Sequence, residues 1–234
     1  MKRVIPILVF TAILCYATNP VLMMQRAVGI KKAAAAGRTV DVAADTSGYC
    51  ENTSTVYATA RDEDASDTYE HTTLGVGQRF IASFHLVWRT FIGFEIPSIS
   101  NITAVSFNFY GNTNDTEVDF DMYIVGATDA AAELDVNDFS HFDGRQTGGV
   151  HNGTVLNDTW NTTSYSNELN TVNFNASGLD SVTAAIGGTL WVAIISREDY
   201  DNSSASLALS ERIQMESHEH VTEYPYLHIT YTGP

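Results

Sequence analysis

Val118-Asp119-Phe120-Asp121-Met122-Tyr123-Ile124-Val125 alternates apolar and polar side chains almost residue by residue. Successive side chains of a strand point to opposite faces. The run therefore places Val118, Phe120 and Met122 on a buried face and turns Asp119 and Asp121 outward. The same period recurs at Thr39-Val40-Asp41-Val42, at Ser106-Phe107-Asn108-Phe109-Tyr110 and at Leu227-His228-Ile229-Thr230-Tyr231. Leu190-Trp191-Val192-Ala193-Ile194-Ile195 is apolar throughout, the pattern of a strand covered on both faces. Clusters of Gly, Asn, Asp and Ser separate these runs at spacings typical of sandwiches and barrels, and about nine strands are expected. Helical signal is confined to residues 127–134 and 179–186. Residues 140–170 are polar and read as long surface loops.

The length of 234 residues suits one β-sandwich or barrel with a leader, or at most two small domains. The formal charge is −16, from 28 acids against 12 bases. Phosphate repels such a surface, which excludes a free-standing nucleic-acid-binding role.

Lys2-Arg3 is a positive start, and residues 4–16 carry no charge, a length that fits the core of a signal peptide with cleavage after Ala17. The rival reading is a retained membrane anchor over residues 4–24, which Asn19-Pro20 weakens. Either way, residues 1–17 are a leader and residues 18–38 a segment of their own kind. In that segment Val21, Leu22, Met23 and Met24 are apolar, Lys31 and Lys32 are basic, and Ala33 to Ala36 is a small-residue run. It is expected to be a helix, a flexible linker, or an arm that contacts a neighbouring subunit. Membrane contact is expected only through the N-terminal segment. Residues 39–234 are expected to form a single all-β domain, a sandwich or a barrel. The two cysteines, Cys15 and Cys50, give no disulfide framework.

Eight Asn-x-Ser/Thr sequons occur, at Asn52, Asn101, Asn114, Asn152, Asn157, Asn161, Asn175 and Asn202. Composition alone predicts about three. With the leader, this points to a chain that is N-glycosylated on export and displayed outside a cell or on a virion.

Several blocks occur in a recognisable order. Tyr57-Ala58-Thr59-Ala60-Arg61-Asp62 is followed by Leu74-Gly75-Val76-Gly77-Gln78, then by Trp88-Arg89-Thr90-Phe91-Ile92-Gly93-Phe94-Glu95-Ile96-Pro97. Next come Ile102-Thr103-Ala104-Val105-Ser106-Phe107-Asn108-Phe109-Tyr110-Gly111 and, at the end, Glu223-Tyr224-Pro225-Tyr226-Leu227-His228-Ile229-Thr230-Tyr231. Over residues 40–232 this resembles the DNRLRE-type, carbohydrate-binding-module-like jelly-roll domains of secreted prokaryotic proteins and phage virion proteins. Glu95 departs from the usual Asp, and Val105-Ser106 from the usual Ala-x-Leu. With the period of two, the resemblance implies that residues 39–234 form a single all-β, two-sheet jelly-roll sandwich with a role in surface display or binding. It names no ligand.

Chemistry-bearing clusters are few. His218-Glu219-His220 is the best candidate for a metal, since residues two apart on a strand could chelate one ion, with Glu223 nearby. Asp119 and Asp121 could pair as glycosidase carboxylates or calcium ligands, but the apolar face beside them favours plain exposure. Asp135, Asp138 and Asp143 lie in an oxygen-rich stretch where calcium could bind, although no cofactor is required. Trp160, Tyr165 and Tyr200 lie in polar stretches and are candidates to stack on sugar rings, while Trp88 and Trp191 read as core. No nucleophile–base pair is spaced for catalysis, so no enzyme activity is expected. Two functions remain. One is a structural surface protein that self-associates through its arm into a filament, adhesive layer or virion surface. The other is a module that tethers a cell or virus to glycans.

Overall fold

The computed structural model describes residues 37–69, 73–127, 134–205 and 209–233. The expected leader and nearly all of the expected arm, Val21 to Met24 included, lie outside them. Twelve strands are described: β1 (Arg38–Ala43), β2 (Thr46–Ser54), β3 (Asp67–Tyr69), β4 (Thr73–Ile81), β5 (Phe84–Glu95), β6 (Ile102–Asn114), β7 (Asp121–Gly126), β8 (Val155–Asn161), β9 (Leu169–Asn173), β10 (Thr189–Ser196), β11 (Ser210–Glu216) and β12 (Tyr226–Tyr231). Short helices α1 (Tyr57–Asp62), α2 (Ala176–Ala184) and α3 (Arg197–Tyr200) accompany them. Among the described residues no helix is long and apolar enough to cross a membrane.

Every described ladder is antiparallel. The first sheet runs β1-β12-β6, with β9 also on β6. The second runs β11-β4-β5-β10-β7-β8, with β2 also on β5 and β3 on β2. Strand β6 belongs to both. Its residues Ile102 to Asn108 pair with β12, and Gly111 to Asn114 pair with β11 across a register shift. A bulge of this kind bends a strand and turns the sheet into a corner. Gly111 sits at that bend, where a Cβ would strike the Ser166 carbonyl and the Tyr165 ring. The result is the all-β, two-sheet sandwich expected from the period of two and the ordered blocks.

Strand β5 shows why two faces matter. Ile92 and Phe94 enter the main core between the sheets, which also holds Phe107, Phe109, Phe120, Met122, Val192, Ile194 and Ile229. Val87 and Phe91 point the other way, into a second apolar layer with Cys50, Ala60, Phe139, Ala193 and Ile195. Strand β10 is covered on both faces as its unbroken apolar run requires.

The structure departs from expectation at Val118, in residues 140–170 and in the placement of α2. Val118 is 40% exposed, because β7 begins only at Asp121 and the residues before it form a bend pinned by Glu117 N–H to the Ser210 carbonyl at 2.8 Å. Residues 140–170 are not all loop, for they hold β8 and the start of β9. Their inward side chains Leu156, Trp160 and Asn170 are diluted by Asn, Asp and Thr, which hides the alternation. One helical signal forms as α2, three residues earlier than expected, because Asn175 caps it by accepting from Gly178 N–H at 3.0 Å. The other, residues 127–134, falls mostly outside the described residues.

Candidate binding face

The outer face of the first sheet follows from register. Val40 and Val42 of β1, Leu227 and Ile229 of β12, and Val105, Phe107 and Phe109 of β6 all face the core. Their neighbours must face out. Pairing then sets Ala43 beside Tyr226 and Tyr226 beside Asn108, and in the next row Asp41 beside His228 and His228 beside Ser106. Tyr110 lies two residues beyond Asn108 on the same side.

Asp41, Ala43, Tyr110, Thr222, Tyr224 and Tyr226 line a cleft of about 260 Å³. Asp41, Ala43 and Tyr224 are exposed, while Tyr110 and Tyr226 are half-buried. The small side chain of Ala43 leaves space beside the ring of its cross-strand partner. Burial pushes the Tyr226 phenol above its usual range, and the nearby Asp41, Tyr110 and Tyr224 push it further, so it stays protonated and can donate. Asp41 also holds His228, Oδ1 to Nδ1 at 2.6 Å. Strand β12 is an inner strand between β1 and β6, with Tyr226, His228 and Thr230 facing outward and Leu227 and Ile229 entering the core.

The wall that carries Thr222 and Tyr224 is a turn between β11 and β12. The Ala44 N–H donates to the Pro225 carbonyl at 2.9 Å, which pins the turn's end to β1. His220 Nδ1 accepts from the backbone N–H of Glu223 at 3.0 Å. Ser47 Oγ meets His218 Nδ1 at 2.8 Å and accepts from the His218 N–H at 3.0 Å. His218 and His220 are therefore not brought together as a chelating pair, because residues 217–225 form turns and not a strand.

Instead Glu216, His220 and Glu223 place one ligand atom each within 4.8 Å of one another. A metal at Nε2 needs a lone pair there, with the proton on Nδ1. Here Nδ1 is an acceptor, so the neutral ring carries its proton on Nε2, which lies 3.8 Å from Glu223 Oε2. Glu216 Oε1 already accepts from Asn112 at 2.6 Å. The backbone bond fixes His220 against Glu223, and Asn112 holds Glu216. Of the acids considered for calcium, Asp119, Asp121, Asp135 and Asp138 are also engaged. Asp135 and Asp138 form a reciprocal cap on a short 3₁₀ turn, Val136–Ser140. Asp121 accepts from Asn161 at 2.7 Å and pairs with Arg197 at 3.1 Å, while Asp119 accepts from Thr162 at 3.1 Å.

The three rings considered for sugar stacking serve in packing. Trp160 is not in a loop. It lies on β8, buried in the main core and edge-on to Phe109, with ring centres 5.6 Å apart. Tyr165 donates its hydroxyl to the Gln214 carbonyl at 2.6 Å. The Tyr200 ring packs against Tyr123, 5.3 Å between centres, and its hydroxyl donates to Gly153 at 3.3 Å. Of the sequon residues, Asn101, Asn114, Asn152 and Asn175 are exposed, and Asn161 and Asn202 are half-buried. Asn52 and Asn157 are buried; Asn52 donates to the Thr59 carbonyl at 3.1 Å and Asn157 to the Asn173 carbonyl at 2.6 Å.

Sequence reading missed Asp41, Tyr110 and Tyr224. The one available signal was Tyr224-Pro225-Tyr226 at the mouth of a strand, and Asp41 enters only through long-range pairing. No protein-family model matches this chain, and no curated protein matches its sequence.

Proposed function

We propose that this chain is a non-catalytic surface domain, exported and N-glycosylated, that binds glycan in the tyrosine-lined cleft. The observation that carries the reading is the meeting of Tyr110, Tyr224 and Tyr226 with Asp41 and Thr222. A sugar ring presents an apolar C–H face and a fringe of hydroxyls. Aromatic rings cover the first, and a carboxylate, a threonine hydroxyl and phenol hydroxyls bond the second. The resemblance to carbohydrate-binding jelly rolls and the eight sequons support an extracellular setting, on a cell or a virion. A glycan array tests it. The intact protein should bind a defined subset of glycans, and Tyr224→Ala should lose those signals. An empty array at high protein concentration would count against the reading.

A second reading, assembly into a surface layer, has its own observation. Strand β1 ends the first sheet, pairing with β12 on one edge and with no strand on the other among the described residues. Such an edge accepts an extended segment from a neighbouring copy. Sedimentation of the full chain beside a deletion of residues 18–36, in excess soluble sugar, separates the two functions. Assembly that survives sugar but not the deletion supports the arm.

A further inference from the structure

Strands β4 and β5 are joined by a two-residue turn, Ala82-Ser83, with both residues at positive φ, 50° and 73°. Hairpins that need this geometry normally use Asn-Gly or Gly, because an ordinary side chain is strained there. The turn sets Ile81 directly across from Phe84. They are 41% and 44% exposed, and Val56, next to the ring of Tyr57 that meets His85, is 55% exposed. Phe80 lies under the tip against His85, with ring centres 4.5 Å apart. From Arg79 to Arg89 the chain contains no Asp or Glu, in a protein of charge −16. Burial lowers the pKa of His85, so its ring is neutral at physiological pH.

We infer that this hairpin tip inserts into the interface of a phospholipid bilayer, with Ile81 and Phe84 entering the acyl boundary. A stable protein interface buries about 800 Å² on each partner. Two tip side chains and one neighbour cannot supply that area, and a two-residue turn is convex where a protein partner would need to be concave. A fluid lipid surface moulds itself to a convex tip, and aromatic and aliphatic side chains partition into it. An acid-free tip is what an acidic protein needs to approach a headgroup layer without repulsion. The site is separate from the tyrosine cleft and does not depend on glycan binding.

Flotation of the full-length protein with phosphatidylcholine vesicles, beside an I81S/F84S double variant, tests the inference. The N-terminal segment is common to both proteins, so their difference reads the tip. The wild type should float with the vesicles, and the variant's partition should fall by about tenfold or more. Equal flotation of the two, or none by either, overturns the inference. The conservative F84W variant gives an independent reading. Its added indole should shift to the blue and be quenched by brominated acyl chains, and an unchanged spectrum overturns the inference even where the double variant fails to fold. Association of the protein with itself that depends on Phe84, without vesicle binding, would make the tip a protein interface and sink the lipid reading.

Discussion

Arg89 is fully buried in mid-strand, and its partner is not visible from local sequence. It donates to both carboxylate oxygens of Asp199, at 2.7 and 2.8 Å, and to the carbonyls of Phe139 and Arg61. Arg61 adds a bond to the Asp199 carbonyl at 2.8 Å. The pair ties α1, the 3₁₀ turn and α3 to the outer face of the second sheet. Breaking one partner of a buried pair leaves a charge stranded, so Arg89→Leu should destabilise the domain by roughly 3–5 kcal/mol in urea unfolding. Burial alone would raise the pKa of Asp199, but the charge and hydrogen bonds of Arg89, with His151 Nε2 3.7 Å away, outweigh it and hold it well below the usual range. Its folded pKa lies below its unfolded one. The stabilisation is therefore present above the unfolded carboxylate pKa of about 4 and is lost as pH falls through the acid range. Glu198 has the opposite sign. Burial, reinforced by Glu211, pushes it up to about 7, and its Oε2 has no hydrogen-bond partner. Its folded pKa lies above its unfolded one, so stability falls as pH rises from the unfolded carboxylate pKa of about 4 to about 7, and the penalty is full above that. Glu198→Gln should raise the melting temperature at pH 8 more than at pH 5, and an equal gain at both would contradict this account.

At the scale of elements, the sequence makes the long strands plain and conceals the short ones. Strands β5 and β10 declare themselves because both faces are apolar. Strands β8 and β9 do not, because asparagine side chains such as Asn157 and Asn170 occupy inward or buried positions and satisfy backbone groups there. No hydropathy pattern reports a polar side chain that is buried for its hydrogen bonds. The β4–β5 turn is a similar case, since Ala-Ser carries none of the usual turn signals. Replacing it by Asn-Gly relieves strain at two positions, so the A82N/S83G variant should be more stable by ~1–2 kcal/mol in chemical denaturation. It should keep its vesicle binding, because Ile81 and Phe84 are retained.

For the whole molecule, the period of two predicts an all-β domain and the ordered blocks make it a two-sheet sandwich, while the candidate site depended on which strands meet. Asp41 and Tyr110 come from β1 and β6, on either side of β12, and nothing within either strand forecasts the other. Glycan display by this protein should follow burial. Mass spectrometry of native material should find Asn101, Asn114, Asn152 and Asn175 occupied and Asn52 and Asn157 bare, since a glycan on either buried nitrogen would break a bond to a backbone carbonyl. The central claim is that glycan binds between β1, the end of β6 and the turn before β12. Chemical-shift mapping with a glycan selected by the array tests it most directly. The account predicts perturbations gathered on residues 41–43, 110 and 222–226, abolished by Tyr224→Ala in a protein that otherwise keeps its spectrum. Perturbations centred on Trp160, Tyr165 or Tyr200, or a map unchanged by Tyr224→Ala, would contradict it.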